Sequence, residues 1–231
     1  MKIAIVGASG AVGQEFLRIL EQRDLPIGEL LLFGSQRSAG RVYKFRGKDI
    51  TVKLLQHNDD FKGVDFALTS AGAGTSREFA ETITRHGAVM IDNSSAFRMD
   101  AEVPLVVPEV NPQDAALHTG IVANPNCSTI ITVTAIAALN RLSPIRSMVA
   151  STYQAVSGAG VAGIGELHDQ ISALEAGRTP TVSAFPHQIA YNLIPQIGGT
   201  QYEGYTSEEM KMQNEGRRLL HLPDLTVSCT C

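Results

Sequence analysis

The sequence predicts an α/β fold built on a doubly wound parallel sheet, and the order of its first segments carries that expectation. Residues 2–6 (KIAIV) form a short apolar run of buried-strand type; Gly7, Gly10 and Gly13 follow, and an apolar helical spacing through Phe16, Leu17 and Leu20 comes next. Strand, glycine turn and helix open a parallel unit. Further strand-like runs lie at 29–33 (ELLLF), 65–69 (DFALT), 88–91 (AVMI) and 121–123 (IVA), with a helix-like segment over about 76–85.

From Ile130 to Leu142 apolar residues occupy most faces of a helix, which predicts burial on more than one side. Ser143-Pro144 ends it. After that the pattern changes: 147–156 (SMVASTYQAV) reads as a longer strand and 161–176 as a helix. The expected organisation is a first domain over 1–130 and a second over 131–231. Residues 225–231 (LTVSCTC) alternate like a strand and stop without turn, cap or polar tail, so a piece of a longer chain is expected.

Composition narrows the partners. A net charge of −4 and pI near 5.9 supply no basic stripe for a phosphate backbone, which argues against nucleic acid. The start MKIAIVGASG is too short for a signal-peptide core, and no run approaches the ~20 apolar residues of a membrane span. Cys127, Cys229 and Cys231 are an odd number and form no stapling framework. A soluble chain of the reducing cytoplasm, without a metal site, is expected.

In Gly7-x-x-Gly10-x-x-Gly13 the glycines permit a tight turn, and Ser9, Ala11 and Val12 fill the positions between them. A diphosphate can approach such a backbone closely, held by free N–H groups at the start of the helix. Tight strand-to-helix packing is the alternative reading. The second strand ends at Phe33, where a site for NAD would place a carboxylate; here Ser35, Gln36, Arg37 and Ser38 follow instead. An arginine between hydroxyls suits a 2′-phosphate, so the expected cofactor is NADP, with a solvated loop arginine as the alternative.

Cys127 stands behind Asn124-Pro125-Asn126 and ahead of the apolar helix. Unpaired N–H groups at a helix start favour thiolate over thiol, which makes a nucleophile, and the same groups can hold an oxyanion on the carbonyl carbon attacked. A small buried apolar cysteine is the alternative.

The motifs GASGAVG at the start, NSSAFR at 93–98, PNCST at 125–129, STYQAVSGAG at 151–160 and EEMKMQNEGRRLL at 208–220 occur together and in order. With them the whole chain resembles aspartate-β-semialdehyde dehydrogenase. The resemblance implies a Rossmann-type NADP-binding domain followed by an incomplete α+β catalytic and dimerisation domain, and a homodimer or higher homo-oligomer. It implies NADPH-dependent reductive dephosphorylation of 4-aspartyl phosphate to aspartate semialdehyde, with release of inorganic phosphate, on the route to lysine, methionine and threonine.

Residue by residue, it makes Cys127 the carrier of the thioester and Gln154 the residue that orients the substrate. Arg98 and Lys211 become a phosphate-binding pair, Glu208 joins the substrate site, and Ser157 and Gly158 contact the nicotinamide half of the cofactor. Two cations of different reach suit an acyl phosphate; a surface charge is the alternative for Arg98 read alone, and the favoured one for Lys211, which lies in a charged helix-like segment. The family's substrate arginine and acid/base histidine are expected beyond Cys231; none of His57, His86, His118, His168, His187 and His221 matches that position. N-acetyl-γ-glutamyl-phosphate reductase performs the same chemistry on a longer acylated substrate and is the alternative enzyme, which NSSAFR and STYQAVSGAG disfavour. A non-catalytic NADP-binding relative is the alternative outside the enzymes, motivated by the missing histidine and arginine segment.

Overall fold

Because β1 (Lys2–Val6) is apolar at all positions after Lys2, it is stable only where neighbours cover both faces, and Ile3, Ala4, Ile5 and Val6 are all buried. The computed structural model describes residues 1–231. In it β1 lies between β2 (Glu29–Gly34) and β5 (Phe66–Thr69), parallel to both. The sheet also holds β3 (Val42–Phe45), β4 (Lys48–Leu54), β6 (Val89–Asp92) and β7 (Ile121–Ala123), in the order β3-β4-β2-β1-β5-β6-β7. The chain winds out from β1 in one direction through β2 and then in the other through β5, so a crevice opens between the carboxyl ends of β1 and β5.

One helix layer is α1 (Ala11–Gln22), whose Leu17 and Leu20 pack with Ile3, Ile5, Leu30, Leu32 and Val52. On the opposite face α2 (Ala73–Thr84) supplies Phe79 and Ile83, α3 (Cys127–Leu142) supplies Val133, and α5 (Ser207–Leu219) supplies Leu219, all to one cluster with Ala4, Val6, Phe33, Ala67 and Met90. The second half contributes β8 (Ser147–Ser151), α4 (Gly160–Glu175), the short β9 (Thr200–Tyr202) and β10 (Tyr205–Thr206), and β11 (Thr226–Thr230), which pairs parallel to β8.

The expected doubly wound parallel sheet is present and carries an added edge, where β3 runs antiparallel to β4 through a turn with Arg46 at φ 49° and Gly47 at φ 76°; other expectations need correction. Two successive positive φ values match the right-handed twist of a hairpin, and the alternation in VYKF and KDITVKL is what the two strands require. The strand expected over 147–156 ends at Ser151; Val156–Ala159 turns instead into a 3-10 helix. The hydroxyl of Thr152 donates to Gln154 Oε1 at 2.9 Å, a local bond that competes with the ladder. Nor is α3 buried on several sides: Val133 and Ala137 face inward, but Ile131, Leu139 and Leu142 are 72%, 60% and 85% exposed.

Gly13 brings α1 against the turn after β1, where an added Cβ would fall 2.3 Å from Gly7 O and 2.7 Å from Ala8 Cα. Both obstacles are backbone and cannot rotate away. Gly13→Ala is expected to lower stability by about 1–3 kcal/mol. Gly165→Ala, inside α4 with nothing within 4 Å of the new atom, should raise it by about 0.5–1 kcal/mol. Urea titrations followed by circular dichroism check both signs.

Candidate functional site

The turn after β1 is held by backbone bonds from Gly7 N and Ala8 N to Phe33 O, at 3.0 and 3.1 Å, and by Gln14 Nε2 to Ala8 O at 2.7 Å. Gly7 has φ 87°, and a Cβ there would lie 2.2 Å from Ser70 O, so only glycine fits. Gly10 takes the N-cap position of α1 and offers no side-chain oxygen. The N–H groups of Ala11, Val12 and Gly13 donate to no acceptor in the chain. A serine or aspartate cap would satisfy them internally; glycine leaves them for an anion, and a nucleotide diphosphate fits that cradle. Ser9 and Ala11 are half-buried beside it and Val12 is exposed.

At the end of β2, Ser35 and Arg37 are exposed. Ser38 is not: its hydroxyl donates to Ser35 O at 3.1 Å and lies where a Cβ on Gly34 would fall. Ser38 shapes the turn that presents Arg37.

From Ser70, which follows β5 and lies against Gly7, a chain of polar side chains runs along the carboxyl ends of the strands toward Cys127. Asn93 Nδ2 donates to Ser70 Oγ at 3.4 Å, and Asn124 Nδ2 to Asn93 Oδ1 at 2.7 Å. Pro125 and the N-cap Asn126 follow, and Cys127 is the first residue of α3, exposed. Asn126 Oδ1 accepts from Ser128 N at 3.0 Å and Thr129 N at 3.2 Å, the bonds of a strong N-cap.

The same asparagine is gripped from α5. Its Nδ2 donates to Glu208 Oε1 at 2.8 Å, and its backbone N–H to Glu215 Oε2 at 2.6 Å. Gln154 Nε2 reaches Glu208 Oε1 at 3.2 Å, and Lys211 Nζ reaches Glu208 Oε2 at 2.9 Å. Arg98 donates from Nη1 to Glu215 Oε1 at 3.2 Å and from Nη2 to Asn93 O at 2.9 Å, while its buried Nε has no partner. Thus α5 lays Glu208, Lys211 and Glu215 along one face, and the sequence-chosen Cys127, Gln154, Glu208, Lys211 and Arg98 converge through Asn126 and Glu215. Ser157 and Gly158 occupy the exposed 3-10 turn just after Gln154. None of the six histidines makes a bond to this network: His57, His86 and His221 face Thr82, Asp59 and Asp114 instead.

Asn126 and Glu215 were not legible as site residues beforehand. Asn126 carried a signal, as a capping residue directly before the cysteine; Glu215 carried only its place on the same helical face as Glu208. Burial pushes the Glu215 carboxyl above its usual range despite Arg98 and the Asn126 N–H. For Glu208 burial also acts upward, but the Lys211 ammonium with the Asn126 and Gln154 donors outweighs it and the carboxyl sits below its usual range.

Comparison with known proteins decides the family. Residues 2–118 match the profile "Semialdehyde dehydrogenase, NAD binding domain" and residues 136–231 match "Semialdehyde dehydrogenase, dimerisation domain". The aspartate-semialdehyde dehydrogenase of Aquifex aeolicus is 50% identical over 100% of this chain and 68% of its own length. This chain belongs to the aspartate-semialdehyde dehydrogenase family. The Bacillus subtilis member is 46% identical, again over 100% of this chain and 68% of the relative. The crystal structure of aspartate semialdehyde dehydrogenase II from Vibrio cholerae, complexed with ASA, superposes with TM-score 0.96 at 43% identity, over 100% of this chain and 69% of that one. Like other members of the family, the chain has an NAD(P)-binding domain, and no helix in it is long and apolar enough to cross a membrane.

Because the folded Glu208 carboxyl is depressed, its ionised form stabilises the fold above the ordinary carboxylate range, and that contribution is lost as pH falls through the folded value. The stability difference between the natural chain and Glu208→Gln should therefore be largest near neutrality and shrink between about pH 5 and pH 2. Urea midpoints that keep a constant gap across that window would refute the linkage.

Proposed function

We propose that the site performs NADPH-dependent reductive dephosphorylation of 4-aspartyl phosphate to aspartate 4-semialdehyde, through a thioester on Cys127. The observation that carries this reading is the exposed thiol at the first position of α3, beside an N-cap bound to the Glu208 and Glu215 carboxylates, with the Gln154 amide and the Lys211 ammonium also on Glu208. Cys127 Sγ attacks the acyl carbon, the carbon–oxygen bond to phosphate breaks, and inorganic phosphate leaves with that electron pair. The Cys127 N–H, the one at the start of α3 that Asn126 leaves unbonded, is available to the oxyanion formed on attack. Lys211, side chain 35% exposed, keeps donors free of Glu208 to meet the leaving phosphate, and Arg98 adds a planar cation. Gln154 and Glu208 orient the amino-acid end. The nicotinamide cofactor, when bound, supplies the hydride that brings the thioester to the aldehyde level, and the thiolate is then released.

The glycine cradle would hold the diphosphate through the N–H groups of Ala11, Val12 and Gly13, with Gly7, Ser9 and Gly10 shaping its approach. NADP rather than NAD is favoured by Ser35 and Arg37 at the end of β2, with Ser38 beneath them and no carboxylate at the turn. Ser157 and Gly158 would meet the nicotinamide half from the turn after Gln154. The domains divide as an NADP-binding unit over 1–130 and a catalytic and dimerisation unit over 131–231. The acylated-glutamyl alternative gains no support from the relatives, which are named for the aspartate substrate. The free thiols suit a reducing cytoplasmic setting.

Cys127→Ala is expected to abolish covalent acylation and turnover, read by intact mass after mixing with acyl phosphate; retained acylation would end the nucleophile assignment. Arg37→Ala should weaken NADPH binding about tenfold or more and leave NADH nearly unchanged, as fluorescence titration would show. We also propose a homodimer that covers Val149 and Tyr153, 86% and 84% exposed, together with the outer face of α3. Sedimentation giving only monomer at micromolar concentration would count decisively against it.

A further inference from the structure

We propose that Glu215 is a positioning residue that locks the Arg98 guanidinium and the start of the Cys127 helix to a single rigid element, α5. The inference rests on the acyl-phosphate reading above and adds a residue to it. Glu215 is 2% exposed. It divides its oxygens between two groups far apart in the chain: Oε2 takes the Asn126 N–H at 2.6 Å and Oε1 takes Arg98 Nη1 at 3.2 Å. Both bonds are charge-assisted, hence short in reach and demanding in direction.

Geometry gives this carboxylate a role that stability alone does not explain. Burying an ion pair is seldom favourable by itself, because desolvation of both charges offsets their attraction. Here the anion fixes two parts of one reaction site. Asn126 sets where α3 begins and so where Sγ projects; Arg98 sets where a phosphate oxygen is met. Arg98 is itself pinned by Nη2 on Asn93 O, and its carbonyl accepts from Arg218 on α5, so the loop that carries it is tied to the same helix. Glu208 and Lys211 stand on that helix as well. Nucleophile, phosphate cation and substrate-site carboxylate therefore share one ruler, and removing Glu215 leaves Asn126 held to it through Glu208 and Arg98 through its backbone bond to Arg218, with the guanidinium itself released. Misplacement of about 1 Å between reacting groups is enough to cost on the order of a hundredfold in rate.

Glu215→Gln preserves volume and a carbonyl oxygen for the Asn126 N–H, but turns an amide N–H₂ toward the guanidinium. The test compares the natural chain, Glu215→Gln, Arg98→Ala and the double variant, with 4-aspartyl phosphate and inorganic phosphate as probes. Single-turnover acylation of Cys127 should slow about tenfold or more in Glu215→Gln. Phosphate affinity, by calorimetry, should stay within about twofold or tighten, because the guanidinium loses its competing carboxylate. The double variant should acylate no more than about twofold slower than the slower single variant, since one coupled unit is being broken twice.

A merely structural role would depress acylation and phosphate binding together, in step with the melting temperature, and would overturn the proposal. So would near-natural acylation in folded Glu215→Gln, or independent multiplying effects with Arg98→Ala. If Glu215→Gln does not fold, Glu215→Asp keeps the charge while drawing it back, and the same split between rate and affinity is expected at smaller size. Failure of the natural chain to acylate would sink the acyl-phosphate reading instead. The rate of iodoacetamide alkylation at Cys127 then decides the positioning claim alone: a change of about threefold or more in Glu215→Gln or Glu215→Asp supports it, and an unchanged rate overturns it.

Discussion

Asn126 is bound in three directions at once: its carbonyl caps its own helix, its amide reaches Glu208, and its backbone N–H reaches Glu215. These contacts join the end of a sheet that opens the chain to a helix near its close. A buried carboxylate is tolerated only where donors and cations surround it, and each of these two has both. Lys211 answers Glu208; Arg98 answers Glu215. Burial raises both carboxyls and acts most on the deeper Glu215, which stays above its usual range, while the Lys211, Asn126 and Gln154 donors hold Glu208 below its own. Charge density, local backbone and the direction of the cysteine are thereby fixed together.

The sheet explains why this junction forms where it does. Every parallel strand ends on the same side, so the turns after β1, β5, β6 and β7 emerge as neighbours although the chain visits them far apart. Gly7 lies against Ser70, Asn93 bonds Ser70, Asn124 bonds Asn93, and Cys127 follows. The glycine turn and Cys127 are brought to one rim by topology alone. Helix starts on that rim expose N–H groups, and the two helices use them oppositely. In α1 a glycine cap leaves them open; in α3 an asparagine closes Ser128 and Thr129.

Much of this was legible beforehand because short-range chemistry governs it. The apolar run of 2–6, the glycines behind it and the proline turn before Cys127 each dictate a local backbone, and the structure follows them. The hairpin of β3 and β4 escaped because its Arg46-Gly47 turn is a weaker signal than Asn-Gly. The outer face of α3 is not legible because an apolar residue is equally consistent with a core and with exposed surface, and Ile131 and Leu142 are exposed in this chain.

Sequence by itself determined the identities and local settings: a thiol at a helix start, glycines where a Cβ meets backbone, and an arginine rather than a carboxylate after the second strand. These depend on residues a few positions apart, whose geometry the chain's own sterics and capping dictate. Only the tertiary structure decided that Glu215 rather than solvent receives Arg98, that Ser38 turns inward, and that Gln154 and Lys211 meet on Glu208. The Arg98–Glu215 and Gln154–Glu208 pairings span 117 and 54 residues, and no local rule sets them; they exist because α5 packs across α3 and presents one face of carboxylates to the rim of the sheet.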